Sequence, residues 1–391
     1  MKLVVLGFGQ CGGRVTDEFA RLNRKARGAR GLDIIVGAYA ANTDVADLSG
    51  LSTIKSDYQH RILIGGRKTG GHGVGKINEL GAEIAKEDAD KIIDTVRTTK
   101  RFSEADAFLL VAGASGGTGS GSIPIMTQQI KERFVDKPVY NLIILPFEHE
   151  ESTEDRTIYN VATCLKSSYL VADAIFLVDN QRYLSKDASI SSNMTKINAM
   201  IVEPFFSLLC AGEEKKPKYI GAKMLDAGDI IQSLSGWTTL GYGKSHTSLL
   251  KSLFDGARDF RDKATETQKG TQAMDEAISG LSVKCNPIDA KRAMYLVSAP
   301  AREISMDLIK ALGTYLKGMA PEAIIRSGDY PRDRGMLDVT VVLSEFSDLE
   351  KIRGYFTKAI SLISALKKRQ NGLVDQQRGI DLTIKDIPSL L

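Results

Sequence analysis

The sequence predicts an α/β protein: a doubly wound, mostly parallel sheet with helices on both faces, joined by a long central helix to a smaller α+β domain with a mixed sheet. Three observations carry that prediction. Through about residue 186, short apolar runs alternate with stretches of helical period, the pattern of βαβ units. Three of those runs pass directly into glycine-rich segments, at residues 7–13, 65–75 and 113–121. Beyond a lysine-rich break at Glu213 to Lys218 the regular alternation stops. A chain of 391 residues suits two such units, and the divisions fall at 1–186, a central helix at 187–212, a second domain at 213–370 and a short tail at 371–391.

Lys2 to Leu6 reads as the first strand, Gly7 to Gly13 as its turn, and Val15, Phe19 and Leu22 as the apolar stripe of a helix. Asp33 to Ala41 is a second strand ending at Asn42, Thr43 and Asp44, and Arg61 to Ile64 a third that enters the Gly65 to Gly75 loop before a helix over about Lys76 to Thr98. Ala107 to Ala112 is a buried strand, with helical period returning over Ile123 to Phe134. Strands Val139 to Leu145 and Ala174 to Val178 are separated by a helix over about Glu154 to Val171. Apolar residues at Ile190, Met194, Ile197, Ile201, Phe205 and Leu208 define the central helix, where Pro204 is expected to kink the chain. The second domain reads as helices near Ala227 to Ser235 and Ser245 to Lys263, a strand at Ala293 to Ser298, and a helix at Met306 to Met319. Strands at Ala323 to Arg326 and Leu337 to Leu343 and a helix from Asp348 to about Lys368 complete it.

Composition narrows the function. The net charge is +4 with no long run of one sign, so a nucleic-acid footprint is not indicated. Cys11, Cys164, Cys210 and Cys285 stand far apart, without a metal or disulfide spacing, which fits a reduced cytoplasmic protein. No run approaches the 18 apolar residues expected of a membrane helix, and the start carries no secretory pattern. Glycine is in excess, 36 residues or about 9% against about 7%, and 15 of them fall in the three glycine-rich segments. The excess therefore reads as a binding site.

Gly7 to Gly12 matches GxGxxG, which alone is a weak phosphate signal. A nicotinamide fold wants an acid closing the second strand, but here Asp33 opens it. Gly113 to Gly121 is the stronger feature, five glycines with Ser115, Thr118 and Ser120 between a buried strand and a helix. No lysine stands in it, so backbone amides, a helix N-terminus and a metal ion would have to balance an anion's charge. Three such loops on one sheet edge suit a triphosphate.

The segment Ala112 to Ser122 resembles the GGGTGSG signature of tubulin, with Ser115 replacing one glycine. Asn42-Thr43-Asp44, the Gly71 to Gly75 loop, Pro146-Phe147 and the helix from Ile190 follow in the family's order over about residues 1 to 365. Gln10-Cys11-Gly12 is closer to tubulin, whereas the compact length is closer to FtsZ, and this mixture is similar to the archaeal CetZ group. The resemblance implies a GTP/GDP site with Mg²⁺ and self-assembly into a head-to-tail polymer that hydrolyses GTP, acting in cell shape rather than division.

Carried over residue by residue, the resemblance implies a first phosphate loop of Gly9, Gln10, Cys11 and Arg14, with Gln10 and Asp44 near the metal and Asn42 beside them. Gly71 and Gly73 would approach the γ-phosphate, and Gly116, Gly117, Thr118 and Gly119 the α- and β-phosphates, with Gly113 and Ser115 also binding the nucleotide. Glu150 would hold the ribose, Asn180 and Asn198 the guanine edge, and Met194 would lie against the base where the family usually has an aromatic. Asp226 and Asp229 match the acids of the T7 loop that enter the next subunit's site, with Met224 replacing an asparagine. By residue type alone, Cys11 suits a small buried position, Met194 a core position, Asp44 a turn, and Asp226 or Asp229 a helix N-cap.

Overall fold

The apolar run at the start forms β1 (Leu3–Phe8), buried throughout, and passes without an intervening turn into α1 (Gly9–Arg30). The computed structural model describes residues 1–184, 190–245, 260–333 and 335–363. In the first half β2 (Ile35–Asn42) leads into α2 (Val45–Ser49), and β3 (Arg61–Leu63) into α3 (Gly66–Thr69), α4 (Asn78–Glu87) and α5 (Ala89–Arg97). Then β4 (Ala107–Gly113) leads into α6 (Thr118–Arg133), β5 (Val139–Leu145) into α7 (Glu148–Thr153) and α8 (Asp155–Val171), and β6 (Ala174–Asp179) into the central helix α9 (Ile190–Ala211). The second half runs α10 (Ala227–Ser233), β7 (Gly236–Lys244), α11 (Phe260–Ser279), β8 (Arg292–Pro300), α12 (Met306–Met319), β9 (Ile324–Arg332), β10 (Asp338–Ser344) and α13 over residues 350–363.

The ten strands form a single sheet in the order β3-β2-β1-β4-β5-β6-β7-β10-β8-β9. The first six are parallel, and β10 runs antiparallel to both of its neighbours. The doubly wound parallel part and the mixed part are therefore both present, and they are continuous. Their seam is the parallel pairing of β6 with β7, from Ala174 opposite Gly236 to Phe176 opposite Thr238. Each face of the sheet carries one core that crosses this seam. One contains Phe19, Phe205 and Leu208 of α1 and α9 together with Met294 and Leu296 of β8. The other joins Ile84, Ile130 and Leu165 of α4, α6 and α8 to Ala277, Leu312 and Ile352 of α11, α12 and α13.

The central helix runs through Pro204 to Ala211. Its segment Met194–Ala211 passes for a membrane span by length and composition alone, but it contains Lys196 and Glu203, and Ile197, Ile201, Phe205 and Leu208 are buried in the protein's own core. The helix expected over 76–98 is two helices, α4 and α5, broken at Asp88, whose carboxylate accepts from the Gly65 N–H at 2.7 Å. Five elements lack a counterpart in the sequence pattern: α2, α3, α7, β7 and all of α11 beyond Lys263. In β7, three glycines within nine residues hide the strand. They reflect close packing instead of a turn: a Cβ on Gly241 or Gly243 would lie 2.0 or 2.1 Å from the Ala277 or Ala273 carbonyl oxygen of α11. The strand expected at 323–326 extends to Arg332 as β9. The helix expected over 245–263 falls mostly outside the described residues, as do residues 364–370 of the last helix and the tail at 371–391.

Close packing and open space make opposite predictions for two helix glycines. A Cβ on Gly121 of α6 would lie 2.1 Å from the Asn78 carbonyl oxygen of α4, while Gly28 of α1 has nothing within 4 Å. Gly121→Ala is expected to destabilise by about 1–3 kcal/mol through overpacking, and Gly28→Ala to stabilise by up to about 1 kcal/mol through helix propensity. Urea unfolding midpoints of the two variants check the pair.

Candidate nucleotide-binding site

Each loop singled out above leaves the C-terminal end of a parallel strand, with β1 and β4 adjacent at the point where the strand order reverses. Crevices that accept ligands in open α/β sheets form at that place. Two long helices start there. The 22-residue α1 begins at Gly9 and the 16-residue α6 at Thr118, neither with a side-chain cap nor with an acidic residue in its first turn. Their first N–H groups thus lack the partner that a Ser, Asp or Asn cap supplies, and both positive dipole ends face one crevice. The termini nearly touch, since a Cβ on Gly9 would lie 3.0 Å from the Gly119 nitrogen. This is a cradle for an anion.

The glycine excess takes on a second meaning here. Gly12 and Gly121 belong to the motifs but sit inside α1 and α6, where a Cβ would come within 2.1 Å of the Val111 and Asn78 carbonyl oxygens. They allow helices to press against β4 and α4. Part of the enrichment is therefore packing that brings the helix ends together, because periodicity starts those helices at Val15 and Ile123, too late to show it. In the 65–75 loop, Gly71 and Gly73 have φ of +81° and +80°, backbone suited to glycine.

The loops are tied to one another by polar side chains. The Thr43 and Thr118 hydroxyls are 2.6 Å apart and buried, linking the β2 loop to the start of α6. The Gly73 N–H donates to the Thr43 carbonyl and the Val45 N–H to the Gly71 carbonyl, drawing in the glycine loop. Asp44 is the N-cap of α2, accepting from the Asp47 N–H at 3.1 Å. The Asp47 carboxylate accepts from Gln10 Nε2 at 2.7 Å and from Asn42 Nδ2 at 3.0 Å. Buried Asn160 of α8 donates to the carbonyls of Lys76 and Ser115 at 2.9 and 3.0 Å, holding two loops together. Asp47 and Asn160 belong to no sequence motif, and Thr43 enters only as the middle of Asn42-Thr43-Asp44. An asparagine on the apolar face of α8, between Ile158 and Val161, is a readable signal, whereas Asp47 becomes visible only when α1 and α2 are placed side by side.

Ser115 Oγ donates to Glu150 of α7 at 3.3 Å, which joins the third phosphate loop to the expected ribose residue. Gly113 lies against Cys11, whose Sγ would be 3.4 Å from an added Cβ. Burial, helped by the Glu150 charge and opposed by Arg14, pushes the Cys11 thiol up to about 12. Arg14 is exposed on α1, Gly116 is half-buried, and Gly117 is the buried residue preceding α6. Asn180 is buried at the end of β6, in a turn that packs against α9. Cys11, Tyr183 and Met194 border one apolar cluster, and Asn198 is half-buried one turn beyond Met194. Tyr183 is an aromatic that no sequence motif marks.

Asp226 and Asp229 are not with these residues. Asp226 caps α10 by accepting from the Asp229 N–H at 2.8 Å, and Asp229 pairs with Arg326 of β9 at 3.1 Å. A Cβ on Gly212, just past the end of α9, would lie 3.1 Å from the Asp226 Cα. That end of α9 is also where the Leu209 carbonyl meets the Met1 nitrogen, at the start of β1. From Asn198 to Gly212 the chain rises roughly 20 Å at 1.5 Å per residue, so the acids lie at the edge of the sheet opposite the cradle.

Among the described residues no group of three or more His, Cys, Asp or Glu side chains could hold a metal by itself. Gln10, Asp44 and Asp47 offer a few oxygens beside the cradle, which fits a Mg²⁺ completed by phosphate oxygens and water. Asp33, the residue a nicotinamide site would need at the end of β2, lies before its start and is engaged by Asn23 at 2.7 Å and by Arg101.

A strand-end cradle built from two uncapped helices, with a central helix leading away from it to a mixed sheet, places the protein in the tubulin/FtsZ class. Residues 2–186 match the family model described as Tubulin/FtsZ family, GTPase domain, and residues 187–361 match Tubulin-like CetZ, C-terminal domain. Tubulin-like protein CetZ1 of Haloferax volcanii is 34% identical over 346 residues, covering 85% of this chain and 84% of its own. A solved structure of CetZ1 from Haloferax volcanii, a GDP-bound monomer, is similar at a TM-score of 0.78 and 30% identity, covering 93% of this chain and 99% of that one. CetZ2 from Haloferax volcanii, solved as a GTPγS-bound protofilament, is similar at a TM-score of 0.80 and 26% identity, covering 94% and 100%. The chain belongs to the CetZ family.

The environment of Cys11 makes a chemical prediction. With its thiol at about 12, the thiolate fraction at pH 8 is on the order of 10⁻⁴. Alkylation of Cys11 by iodoacetamide at pH 8 is expected to be slow in the native protein and fast in urea, as read by peptide mass spectrometry.

Proposed function

We propose that this protein binds GTP with Mg²⁺ in the cradle, assembles head to tail into protofilaments, and hydrolyses GTP where Asp226 and Asp229 of one subunit enter the cradle of the next. The observation that carries this reading is the separation, within one chain, of the anion cradle from the only acids of the expected catalytic loop. A subunit whose acids lie roughly 20 Å from its own guanine-edge residues needs a second copy to complete the site. A contact between opposite ends of one chain does not close on itself, so filaments follow.

The residues then take these roles. The free N–H groups of α1 and α6 hold phosphate oxygens, while Asn180 and Asn198 accept and donate at the guanine edge and Glu150 holds the ribose. Gln10 and Asp44, together with the phosphates, would hold a Mg²⁺, which would supply charge neutralisation during phosphoryl transfer. Asp226 and Asp229 orient the attacking water. The Asp229 pair with Arg326 is partly exposed, with side-chain exposures of 38% and 25%, and such pairs contribute about 1 kcal/mol or less. Asp229 can therefore be recruited by a neighbour at low cost. Membership in the CetZ family supports a role in cell shape, and imaging of cells lacking the gene, rod or plate form against failed septation, separates this from division.

The GTPase rate per subunit is expected to rise with protein concentration and then level off as filaments form. A rate independent of concentration in an assembling buffer would refute the shared site. Asp229→Ala is expected to retain GDP and GTP binding while its turnover falls by about 10²-fold or more. A mixture of Asp229→Ala with the nucleotide-binding variant Asn198→Ala is expected to show more activity than either alone, since each supplies what the other lacks. An Asp229→Ala variant with the parent's turnover would remove the acid from the mechanism.

A further inference from the structure

The last helix, α13, sets side chains against two segments that flank the cradle. Tyr355 is buried, and its hydroxyl donates to Oε1 of Glu151 in α7. Lys351, one turn earlier, holds its Nζ 3.3 Å from the same oxygen and 3.6 Å from Oδ2 of Asp179, the last residue of β6. Lys358, one turn later and largely exposed, reaches Oε2 of Glu151 at 3.3 Å. Glu151 and Asp179 are nearly buried, with side chains 9% and 10% exposed. Burial lifts the Asp179 carboxyl above its ordinary range, opposed by the Lys351 charge. The helix that carries these groups is anchored by Ile352 and Ala359 in the core that also holds Ile158, Val161 and Leu165 of α8.

What the clasp ties is adjacent to nucleotide-contacting residues on the reading above. Glu151 follows Glu150, which joins Ser115 of the third phosphate loop. Asp179 precedes Asn180 and caps its turn by accepting from the Gln181 N–H at 3.1 Å. One ammonium therefore bridges the ribose segment and the guanine segment. Lys358 meets Glu151 alone, so Lys351 is the cation set between two nearly buried carboxylates that repel each other, and an uncompensated buried charge is far more costly than a broken surface pair. Without Lys351, the least costly relief is for α7, six residues long and with no side-chain cap, to turn its carboxylate to water and carry Glu150 with it.

We propose that Lys351 and Tyr355 are positioning residues for the nucleotide: by fixing α7 and the end of β6 together, they set how slowly guanine nucleotide leaves the site. The proposal rests on Glu150 and Asn180 being ribose and guanine contacts, and the controls below test that separately.

The experiment is stopped-flow dissociation of a fluorescent N-methylanthraniloyl GDP from the full chain, at concentrations below assembly. Lys351→Met and Tyr355→Phe are each expected to speed release by about tenfold, with Lys351→Arg returning it to within about twofold of the parent. In assembled protein both are expected to raise KM for GTP while kcat changes by less than about twofold, a split that general loss of folding would not produce. Tyr355→Phe removes only an oxygen and keeps the ring in the core, so it serves if Lys351→Met does not fold. Release rates for both within twofold of the parent overturn the proposal. If Glu150→Ala and Asn180→Ala speed release and the clasp variants do not, the clasp falls and the site stands. If none of the four changes release, the site reading falls with it.

Discussion

Two long helices that begin without caps, side by side at the centre of a parallel sheet, are the constraint on which the rest of the structure depends. A helix terminus normally finds partners for its first N–H groups in its own sequence. Here Phe8 and Gly117 occupy the preceding positions and offer none. The unmet donors are a local cost to the folded chain that an anion can offset, and no lysine is required. The near-neutral net charge of +4 is consistent with a site that works by backbone dipoles and a metal ion.

Bringing two helix ends so close requires backbones to touch, which explains why the motif glycines extend into the helices. Gly12 lets α1 rest on β4, and Gly121 lets α6 rest on α4. With the helices seated, small polar groups lock the loops: Thr43 to Thr118, Asp47 to Gln10 and Asn42, and Asn160 to Lys76 and Ser115. Buried Asn160 keeps its own side-chain oxygen without a partner, so its role is concentrated in the amide that spans the loops.

The continuous sheet has a mechanical consequence. Because β6 pairs directly with β7 and both cores cross that seam, displacement in one half is opposed by packing in the other. The central helix runs from Met194 and Asn198 to the acids at the far edge, and α13 reaches back from the mixed sheet to α7 and β6. A polymer whose subunit contact lies at the far edge would thus be coupled to nucleotide through rigid elements instead of through a flexible linker between domains.

Much of this was legible in the residues themselves. Alternating apolar runs and helical periods determined the parallel half, since burial on both faces leaves strands such as Ala107 to Ala112 with no polar positions. The glycine loops and the central helix marked where a ligand would sit. Strand β7 was hidden because glycine, usually a turn residue, served there to admit α11, and α7 is too short to show a period. Only the tertiary structure decided that the two sheets are one, that Asp47 and Asn160 stand at the cradle, and how far from it Asp226 and Asp229 stand. The physical reason is the same in each case: periodicity reports which face of an element is buried, whereas the partner that buries it, and the distance between sites, depend on how far-separated segments pack.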